Sequence, residues 1–391
     1  MSKKVIIIEQ SFGCGNPGLK SLVAALPYLL ESGLSIEVWT EAIDEELLPL
    51  VTWRRLRYLQ LPGSFGAMSF WLSAQIIASW RRNRIKQENV IYLTTGGKYW
   101  FADLSMFQFY NPTWWQIQGG KIYRGNESRL RRILTLWGIF EDLGVVRLPY
   151  CKRILAASRA IQADIERDKK RSNLTVSVLP NAVDTSTFAA PSKDSRLERR
   201  RQLGFADSHT VLLFVSMGHY VRKGFWRALA CLENLRKQGH RDFRFLMVGG
   251  YPRKLKVIKG WLDRHHSGWQ EWIVFTGMTD DVPTMMAAAD ALFFPSYFEA
   301  FSLVEIEAAA LGLPLLLTRH HGSEMILRED RNGIFLPDDI SGMGEALLKF
   351  RKQGLIDPCR DLGEALAPEE WAYQFENEMH LIFDFKTCLN L

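Results

Sequence analysis

Residues 295–308 have the sequence Pro-Ser-Tyr-Phe-Glu-Ala-Phe-Ser-Leu-Val-Glu-Ile-Glu-Ala, the most informative segment of this chain. The pattern predicts the end of a β-strand, a turn and then a helix. Ser302 suits the N-cap of that helix, and Glu305 three positions later completes the sequence pattern of a capping box. Glu299 then lies just before the helix and Glu307 between one and two turns inside it. Both carboxylates can therefore face one cleft above the carboxyl ends of parallel strands, where open α/β sheets bind ligands.

Short β-rich runs alternate with helical patterns on both sides of this segment, which predicts βαβ units and parallel sheets covered by helices. The β-rich runs are residues 5–8, 36–40 and 90–93 in the first part of the chain, and 210–216, 243–248, 273–276, 291–294 and 315–317 in the second. A charged stretch at residues 191–202 separates the two series. With 391 residues the chain is long for a single core, so we expect two doubly wound domains.

A glycine-rich loop follows the first β-rich run, in which Gly13, Gly15 and Gly18 form the pattern G-x-G-x-x-G. Glu41 follows at the end of the second run, as in a dinucleotide-binding fingerprint. Such a loop lets a diphosphate approach backbone N–H groups at a helix start. A glycine turn that only joins strand to helix gives the same pattern, so the loop alone does not separate these alternatives.

The segment with Glu299 and Glu307 resembles the E-x7-E signature of retaining glycosyltransferases with the GT-B fold, namely glycosyltransferase family 4. Further family-like motifs are Pro-Asn-Ala-Val-Asp at 180–184, Arg-Lys-Gly at 222–224, Val-Gly-Gly at 248–250, and the segments 308–314 and 322–333. The resemblance implies two Rossmann-like doubly wound domains that face each other across a cleft. Residues 1–190 would bind the acceptor, 191–368 the nucleotide sugar, and a helix at 369–391 would return to the first domain. Segments 118–124 and 251–254 look most like the lipopolysaccharide-core glucosyltransferase branch.

The resemblance also implies roles for individual residues. Lys223, with Arg222 beside it, would hold the donor diphosphate, Glu299 would bind hydroxyls of the transferred sugar, and Glu307 would bind the ribose. The donor-binding set is Gly15, Gly18, Arg222, Lys223, Glu299, Ala300, Phe301, Ser302 and Glu307, and the catalytic set is Glu299, Lys223 and Asp103.

Two departures from the family pattern affect these roles. Gly218 stands where relatives often carry an arginine, so fewer charges would hold the phosphates. Relatives tend to carry a His or Asp near the acceptor, but residues 1–208 contain no histidine. Asp103, Gln108 and Asn111 are then the polar candidates, and Asp103 is the one that we assign. For His320 and His321 we expect solvent-exposed or capping positions.

The implied reaction transfers a hexose, with retention, from a nucleotide-diphosphate sugar, preferably a UDP-sugar, to a glycan or lipid-linked glycan of the cell envelope. We expect no cofactor and no metal, because Lys223, Arg222 and a helix dipole can stabilise the leaving diphosphate. Two alternatives stay open. One is an NAD(P)-dependent oxidoreductase that uses the glycine loop with Glu41, and the other is a non-catalytic protein that binds sugar nucleotides.

Positive charge is concentrated in residues 51–132, which hold 13 Lys and Arg against 3 acids, interleaved with tryptophan and phenylalanine. This mixture suits an anionic membrane surface or an anionic acceptor. A solvated basic face whose aromatic residues belong to the core is the alternative, and no motif points to nucleic acid. The 5 cysteines lack C-x-x-C spacing, and polar residues interrupt the longest uncharged stretch. We therefore expect a cytoplasmic protein without a transmembrane helix, peripheral at the inner face of the cytoplasmic membrane.

Overall fold

The computed structural model describes residues 3–13, 15–61, 64–85, 89–118, 129–189, 192–353, 362 and 365–389. The chain divides into two compact units, Met1–Ala182 with Leu366–Leu391, and Val183–Ala365. The division falls before the predicted boundary at residue 190, because the segment up to Ala182 is bonded to the first unit. Ser21 Oγ accepts a hydrogen bond from the Ala182 N–H at 2.9 Å and donates one to Asn181 at 3.4 Å.

The first unit contains a seven-stranded parallel sheet in the order β5-β3-β1-β6-β7-β8-β9. Its strands are β1 (Lys4–Ile8), β3 (Ser35–Thr40), β5 (Thr52–Arg55), β6 (Val90–Thr95), β7 (Leu104–Phe107), β8 (Arg153–Ala156) and β9 (Thr175–Val178), and a separate parallel pair is β2 (Ser11–Phe12) with β4 (Ala42–Ile43). Its helices are α1 (Lys20–Glu31), α2 (Ser64–Ser73), a π-helical turn (Ala74–Ala78), α3 (Ser79–Arg82), α4 (Asn111–Gln118), α5 (Arg129–Arg147) and α6 (Arg159–Asp168), with a 3-10 turn at Glu45–Leu47.

The second unit contains a six-stranded parallel sheet in the order β12-β11-β10-β13-β14-β15. Its strands are β10 (Thr210–Val215), β11 (Phe243–Val248), β12 (Ile273–Gly277), β13 (Ala291–Phe294), β14 (Leu315–Thr318) and β15 (Gly333–Leu336). Its helices are α7 (Lys193–Gln202), α8 (Phe225–Lys237), α9 (Pro252–His265), α10 (Val282–Ala287), α11 (Leu303–Ala310), α12 (Ser323–Ile326) and α13 (Ile340–Gln353), with a 3-10 turn at Trp269–Glu271.

The last helix, α14 (Pro368–Leu389), belongs to the first unit. Trp371 and Phe375 of α14 are buried in the same core cluster as Leu22 and Leu26 of α1. Lys386 Nζ also donates to the carbonyl of Val90 at 2.7 Å. The chain end is therefore fixed to the first sheet by apolar burial and by a hydrogen bond.

The central strand of each sheet is a continuous apolar run, as expected for a parallel strand buried on both faces. Residues Ile6–Ile8 of β1 and Val211–Phe214 of β10 are fully buried. In each sheet the chain leaves this strand to one side and later returns to its other side, between β1 and β6 and between β10 and β13. These two positions are the topological switch points, where doubly wound sheets bind ligands at the carboxyl ends of their strands.

Candidate functional site

The switch point of the second unit holds one buried carboxylate between two cations. Glu299, on the loop after β13, is 8% exposed. Arg222 Nη1 lies 3.0 Å from its Oε2, and Lys223 Nζ lies 3.2 Å from its Oε1. The structure thus brings together three of the residues that the family motifs predicted, from two loops that are far apart in sequence.

Backbone geometry explains why these two loops can meet. Gly224 has a φ of +77° and forms the N-cap of α8. A Cβ at this position would lie 1.9 Å from the carbonyl oxygen of Pro295, so only glycine permits the approach. The Tyr297 N–H then donates to the Arg222 carbonyl at 2.8 Å, and Arg222 Nη1 donates to the Phe298 carbonyl at 2.8 Å.

The charges in this cluster alter one another's protonation. Burial would raise the pKa of Glu299, but Arg222 and Lys223, together with His320, outweigh that effect and lower the pKa to about 2. Burial lowers the pKa of Lys223, although Glu299 acts in the opposite direction. Burial and the neighbouring cations lower the pKa of His219 to about 4. At neutral pH Glu299 is therefore ionised and His219 is neutral.

Helix α11 begins directly beside Glu299, but the predicted capping box does not form. Ser302 has the extended backbone of an N-cap, and its Oγ has no hydrogen-bond partner among the described residues. Glu305 turns inward instead, where its Oε1 lies 3.0 Å from Nε2 of His320. The prediction for His320 was also wrong, because its side chain is completely buried. Ala300, Phe301 and Glu307 are buried around the same helix start.

The switch point of the first unit holds an acidic cluster that the sequence did not reveal. Glu9 directly follows β1, is completely buried, and accepts hydrogen bonds from Thr95 and Lys98 and from the Gln10 N–H at 2.8 Å. Burial raises the pKa of Glu141 on α5 to about 7, with Glu9 as an additional negative charge. The one sequence signal was an acid directly after a buried strand, at the edge where ligands bind.

Burial also raises the pKa of Asp142, the neighbour of Glu141, to about 7. Its Oδ2 accepts hydrogen bonds from both the backbone N–H and Nδ2 of Asn111, each at 2.8 Å. Asn111, a polar candidate for the acceptor side, therefore binds within the protein and fixes the start of α4 to α5.

The prediction of Asp103 as a catalytic residue was wrong. Asp103 directly precedes β7, at the amino end of the strand and opposite the edge where ligands bind. Its carboxylate is buried and lies 2.8 Å from Nζ of Lys386 and 3.3 Å from Nη2 of Arg82, and it accepts the Tyr92 N–H at 2.9 Å. These bonds give Asp103 a structural role in attaching α14 to the sheet.

The glycine loop adopts a compact turn in which Asn16 Oδ1 accepts the Gly18 N–H at 3.1 Å. Gly13 packs against Asp44 so closely that a Cβ would lie 2.0 Å from the carboxylate. Cys14 lies outside the described residues, and the donor-binding role of Gly15 and Gly18 stays a prediction. Glu41 is paired with Arg55 at 2.6 Å, so this carboxylate already has a partner.

The aromatic residues of segment 51–132 divide between core and surface. Phe70, Trp71 and Trp114 are buried, whereas Trp53, Phe65 and Trp80 are exposed. Leu72 and Ile76 add apolar surface, being 52% and 69% exposed. Residues 86–88 and 119–128, with most of the motif at 118–124, lie outside the described residues. Within the described part of the chain, no helix combines the length and apolarity that a membrane span requires.

Residues 209–353 match the family model described as glycosyl transferases group 1. The chain is 29% identical over 201 residues to 2-deoxystreptamine glucosyltransferase of Streptomyces kanamyceticus, covering 50% of this chain and 49% of that protein. The match thus spans about half the length of this curated relative, and no more than about half of the other curated relatives.

Solved structures resemble nearly the whole chain, among them the following two. WaaG, a glycosyltransferase involved in lipopolysaccharide biosynthesis, has a TM-score of 0.68 at 16% identity and covers 94% of this chain and 93% of its own. Anabaena HepE in complex with UDP-glucose has a TM-score of 0.67 at 16% identity and covers 97% and 99%. The predicted fold class, with two Rossmann-like doubly wound domains, is confirmed as GT-B.

Proposed function

We propose that this chain, a GT-B protein whose residues 209–353 form a glycosyl transferases group 1 domain, is a retaining hexosyltransferase. It would move a hexose from a nucleotide-diphosphate sugar, preferably a UDP-sugar, to a glycan or lipid-linked glycan in cell-envelope polysaccharide synthesis. The observation that carries the proposal is the buried carboxylate of Glu299 held between Arg222 and Lys223 at the second switch point. HepE, one of the solved structures of the same fold, binds UDP-glucose.

The cations at this site suit the leaving group of the reaction. When the anomeric bond breaks, negative charge develops on the β-phosphate, and preorganised cations and helix N–H groups stabilise it. Lys223 and Arg222 supply the positive charge, and the start of α11 adds backbone N–H groups beside Glu299. This set of groups supports transfer without a metal.

The carboxylates serve the sugar and the nucleoside. Glu299 is ionised and accepts hydrogen bonds from hydroxyls of the transferred hexose, whereas Glu307 binds the ribose. For retention, the acceptor hydroxyl attacks the anomeric carbon from the face that the diphosphate leaves, and the departing phosphate takes its proton. Glu299 orients the sugar and forms no covalent bond with it.

The acidic cluster of the first unit is our candidate for the acceptor side, in place of Asp103. Glu9 lies at the switch point of that sheet, and Lys98 and Thr95 fix its carboxylate. Carboxylates accept hydrogen bonds from the hydroxyl groups of a glycan, and they disfavour a second diphosphate. The first unit would thus bind the sugar acceptor.

The test compares Lys223→Ala with Lys237→Ala, which removes an exposed lysine at the end of α8. UDP should raise the melting temperature of the wild type, because a ligand that binds only folded protein stabilises it. Lys223→Ala should lose this shift and the release of UDP from UDP-glucose, and Lys237→Ala should keep both. Full turnover by Lys223→Ala would exclude the phosphate role.

The two rival functions give different outcomes in the same assays. An oxidoreductase would be stabilised by NAD(P)H, but Glu41, which the fingerprint assigns to the ribose, is paired with Arg55. A protein that only binds sugar nucleotides would be stabilised by UDP-glucose without releasing UDP. A melting shift with NAD(P)H alone would favour the oxidoreductase.

We also propose that the first unit associates with anionic membranes. Phe65, Leu72, Ile76 and Trp80 are exposed along α2, the π-helical turn and α3, and the Arg84 guanidinium lies 3.5 Å from the centre of the Trp80 ring. Each cation near an anionic surface contributes about 1 kcal/mol. Trp80→Ser should weaken pelleting with phosphatidylglycerol vesicles, and Val257→Ser, at an exposed site of the second unit, should not. Absence of wild-type pelleting at low salt would contradict this association.

A further inference from the structure

A buried ion pair lies beside Glu299 in the second unit. His320 is on the loop after β14, and Glu305 is in the first turn of α11. Both side chains are 0% exposed, and Nε2 of His320 lies 3.0 Å from Oε1 of Glu305. This is ion-pair distance, so a protonated His320 and the Glu305 carboxylate attract each other electrostatically. The pair has no role in the donor contacts proposed above.

The surroundings of His320 favour its charged form. Burial alone would lower its pKa, but Glu305 from α11 and Glu299 from the preceding loop outweigh burial and raise it. On the turn before α8, Arg222 and Lys223 also contact Glu299. With His320 protonated, three cations face the carboxylates of Glu299 and Glu305, and the cluster is suited to an anionic ligand.

Stability does not explain the pair, because a buried ion pair gives little advantage over an apolar pair of similar volume. Ser302, at the same helix start, also keeps a buried hydroxyl without a hydrogen-bond partner among the described residues. Unsatisfied buried polar groups are rare in folded proteins and need a reason other than packing. Their concentration around Glu299 indicates that this region is built for ligand binding.

The His320 loop is connected directly to the loop that carries Glu299. The Gly322 N–H donates to the Glu299 carbonyl at 3.2 Å. Ser323 Oγ accepts the His320 N–H at 3.0 Å and donates to the His320 carbonyl at 2.9 Å, which fixes the turn. The turn that holds His320 is therefore bonded to the backbone of Glu299.

We propose that His320, paired with Glu305, is a positioning residue that holds the Glu299 carboxylate, together with Arg222 and Lys223, in the orientation that binds the donor sugar. The inference rests on the proposed function, since it specifies how the sugar-binding carboxylate is oriented. His320 acts through Glu299 and does not itself touch the donor.

The test measures UDP-glucose hydrolysis and UDP binding for the full chain and for His320→Gln and Glu305→Gln. A small displacement of a positioning group costs up to about a hundredfold in rate, so kcat should fall by roughly tenfold to a hundredfold in either variant. UDP affinity should stay close to wild type, because UDP has no sugar for Glu299 to bind. His266→Gln, which removes the contact of His266 with Glu233 near the other end of α8, should change neither quantity.

The pH profile gives a readout that a purely structural role would not change. Wild-type kcat should decrease as pH rises through the raised pKa of His320. Glu305→Gln should move this decrease to lower pH, and His320→Gln should remove it. The proton NMR signal of the His320 ring, assigned by its absence from His320→Gln, should titrate in parallel.

Three outcomes would overturn the inference. If the wild type hydrolyses UDP-glucose and His320→Gln does so with the same kcat, His320 has no positioning role. The proposed function is not affected by that result. Parallel loss of UDP binding and thermal stability in His320→Gln, but not in His266→Gln, would mean that His320 only supports the fold. Failure of the wild type to bind UDP or hydrolyse UDP-glucose would reject the proposed function, and this inference with it.

Discussion

The switch points of the two sheets hold opposite balances of charge. In the second unit Arg222 and Lys223 surround Glu299, whose pKa is lowered to about 2. In the first unit Glu9 has Lys98 as its ion-pair partner, and the pKa of the nearby Glu141 is raised to about 7. The same position in two similar sheets is thus cationic in one unit and acidic in the other. Under the proposed function, this difference favours the diphosphate in the second unit and a hydroxyl-bearing ligand in the first.

Removal of Glu299 should have the largest effect, and it tests the balance of charge in the second unit. In Glu299→Ala we expect turnover of UDP-glucose to fall at least about a hundredfold, because the sugar is no longer oriented. The melting shift caused by UDP should increase, since Arg222 and Lys223 lose their carboxylate and the diphosphate replaces it. Calorimetry with UDP and a UDP-release assay check both results.

The control for this variant is Glu345→Ala, which removes an exposed acid from α13. It should bind UDP and release it from UDP-glucose as the wild type does. A Glu299→Ala protein that binds UDP less tightly than the wild type would show that Glu299 contributes to phosphate binding, contrary to the charge assignment.

Glu9→Gln should have the next largest effect and tests the first unit. If Glu9 binds the acceptor, transfer to acceptors in a bacterial membrane extract should fall by about a hundredfold. UDP binding and UDP-glucose hydrolysis should be unchanged, because both depend on the second unit. Loss of UDP binding in Glu9→Gln would place Glu9 on the donor side and remove the contrast between the units.

The fold and the meeting of Glu299 with Lys223 could be predicted from sequence because each depends on local patterns. Buried parallel strands are continuous apolar runs such as residues 5–8, and their alternation with helices gives the doubly wound fold. Glu299 and Lys223 lie in short motifs of fixed spacing, next to a strand end and a helix start. Such motifs place a residue at the binding edge even when its partners are unknown.

The residues that sequence reasoning missed or misplaced depend on tertiary packing. Asp103 precedes a strand, and only the strand direction shows that it lies opposite the edge where doubly wound sheets bind ligands. Glu305 has the spacing of a capping box, but His320 from a distant loop competes for its carboxylate. Glu9 has no spacing signal, because Thr95 and Lys98, which fix its carboxylate, lie on another strand and the loop after it.

The two sites should also respond to pH in opposite directions. The pKa of Glu299 falls from 4.5 to about 2, so its contribution to stability is present above pH 4.5 and is lost as pH falls towards 2. The pKa of Glu141 rises from 4.5 to about 7, so its contribution is present below pH 4.5 and is lost as pH rises towards 7. Ionisation of Glu141 at high pH therefore destabilises the first unit, and protonation of Glu299 at low pH destabilises the second.

Glu141→Gln tests this opposition. We expect it to raise the free energy of unfolding at pH 8 by on the order of 1 kcal/mol, after allowance for solvent screening at a half-buried site. At pH 4.5 the gain should be much smaller, because most of the wild-type carboxyl is protonated there. Urea unfolding at both pH values gives the measurement, and an equal gain at both would show that ionisation of Glu141 is not the cause.

The smallest expected effect compares two helix starts, one in each unit. Ser158 caps α6 by accepting the Ile161 N–H at 3.4 Å, whereas Ser302 at the start of α11 makes no side-chain cap. Ser158→Ala should therefore cost about 1 kcal/mol of stability, as is usual for loss of an N-cap. Ser302→Ala should cost no stability, since no hydrogen bond is lost and an unsatisfied buried hydroxyl is removed. Urea unfolding distinguishes these values, and an equal cost would mean that Ser302 does cap α11.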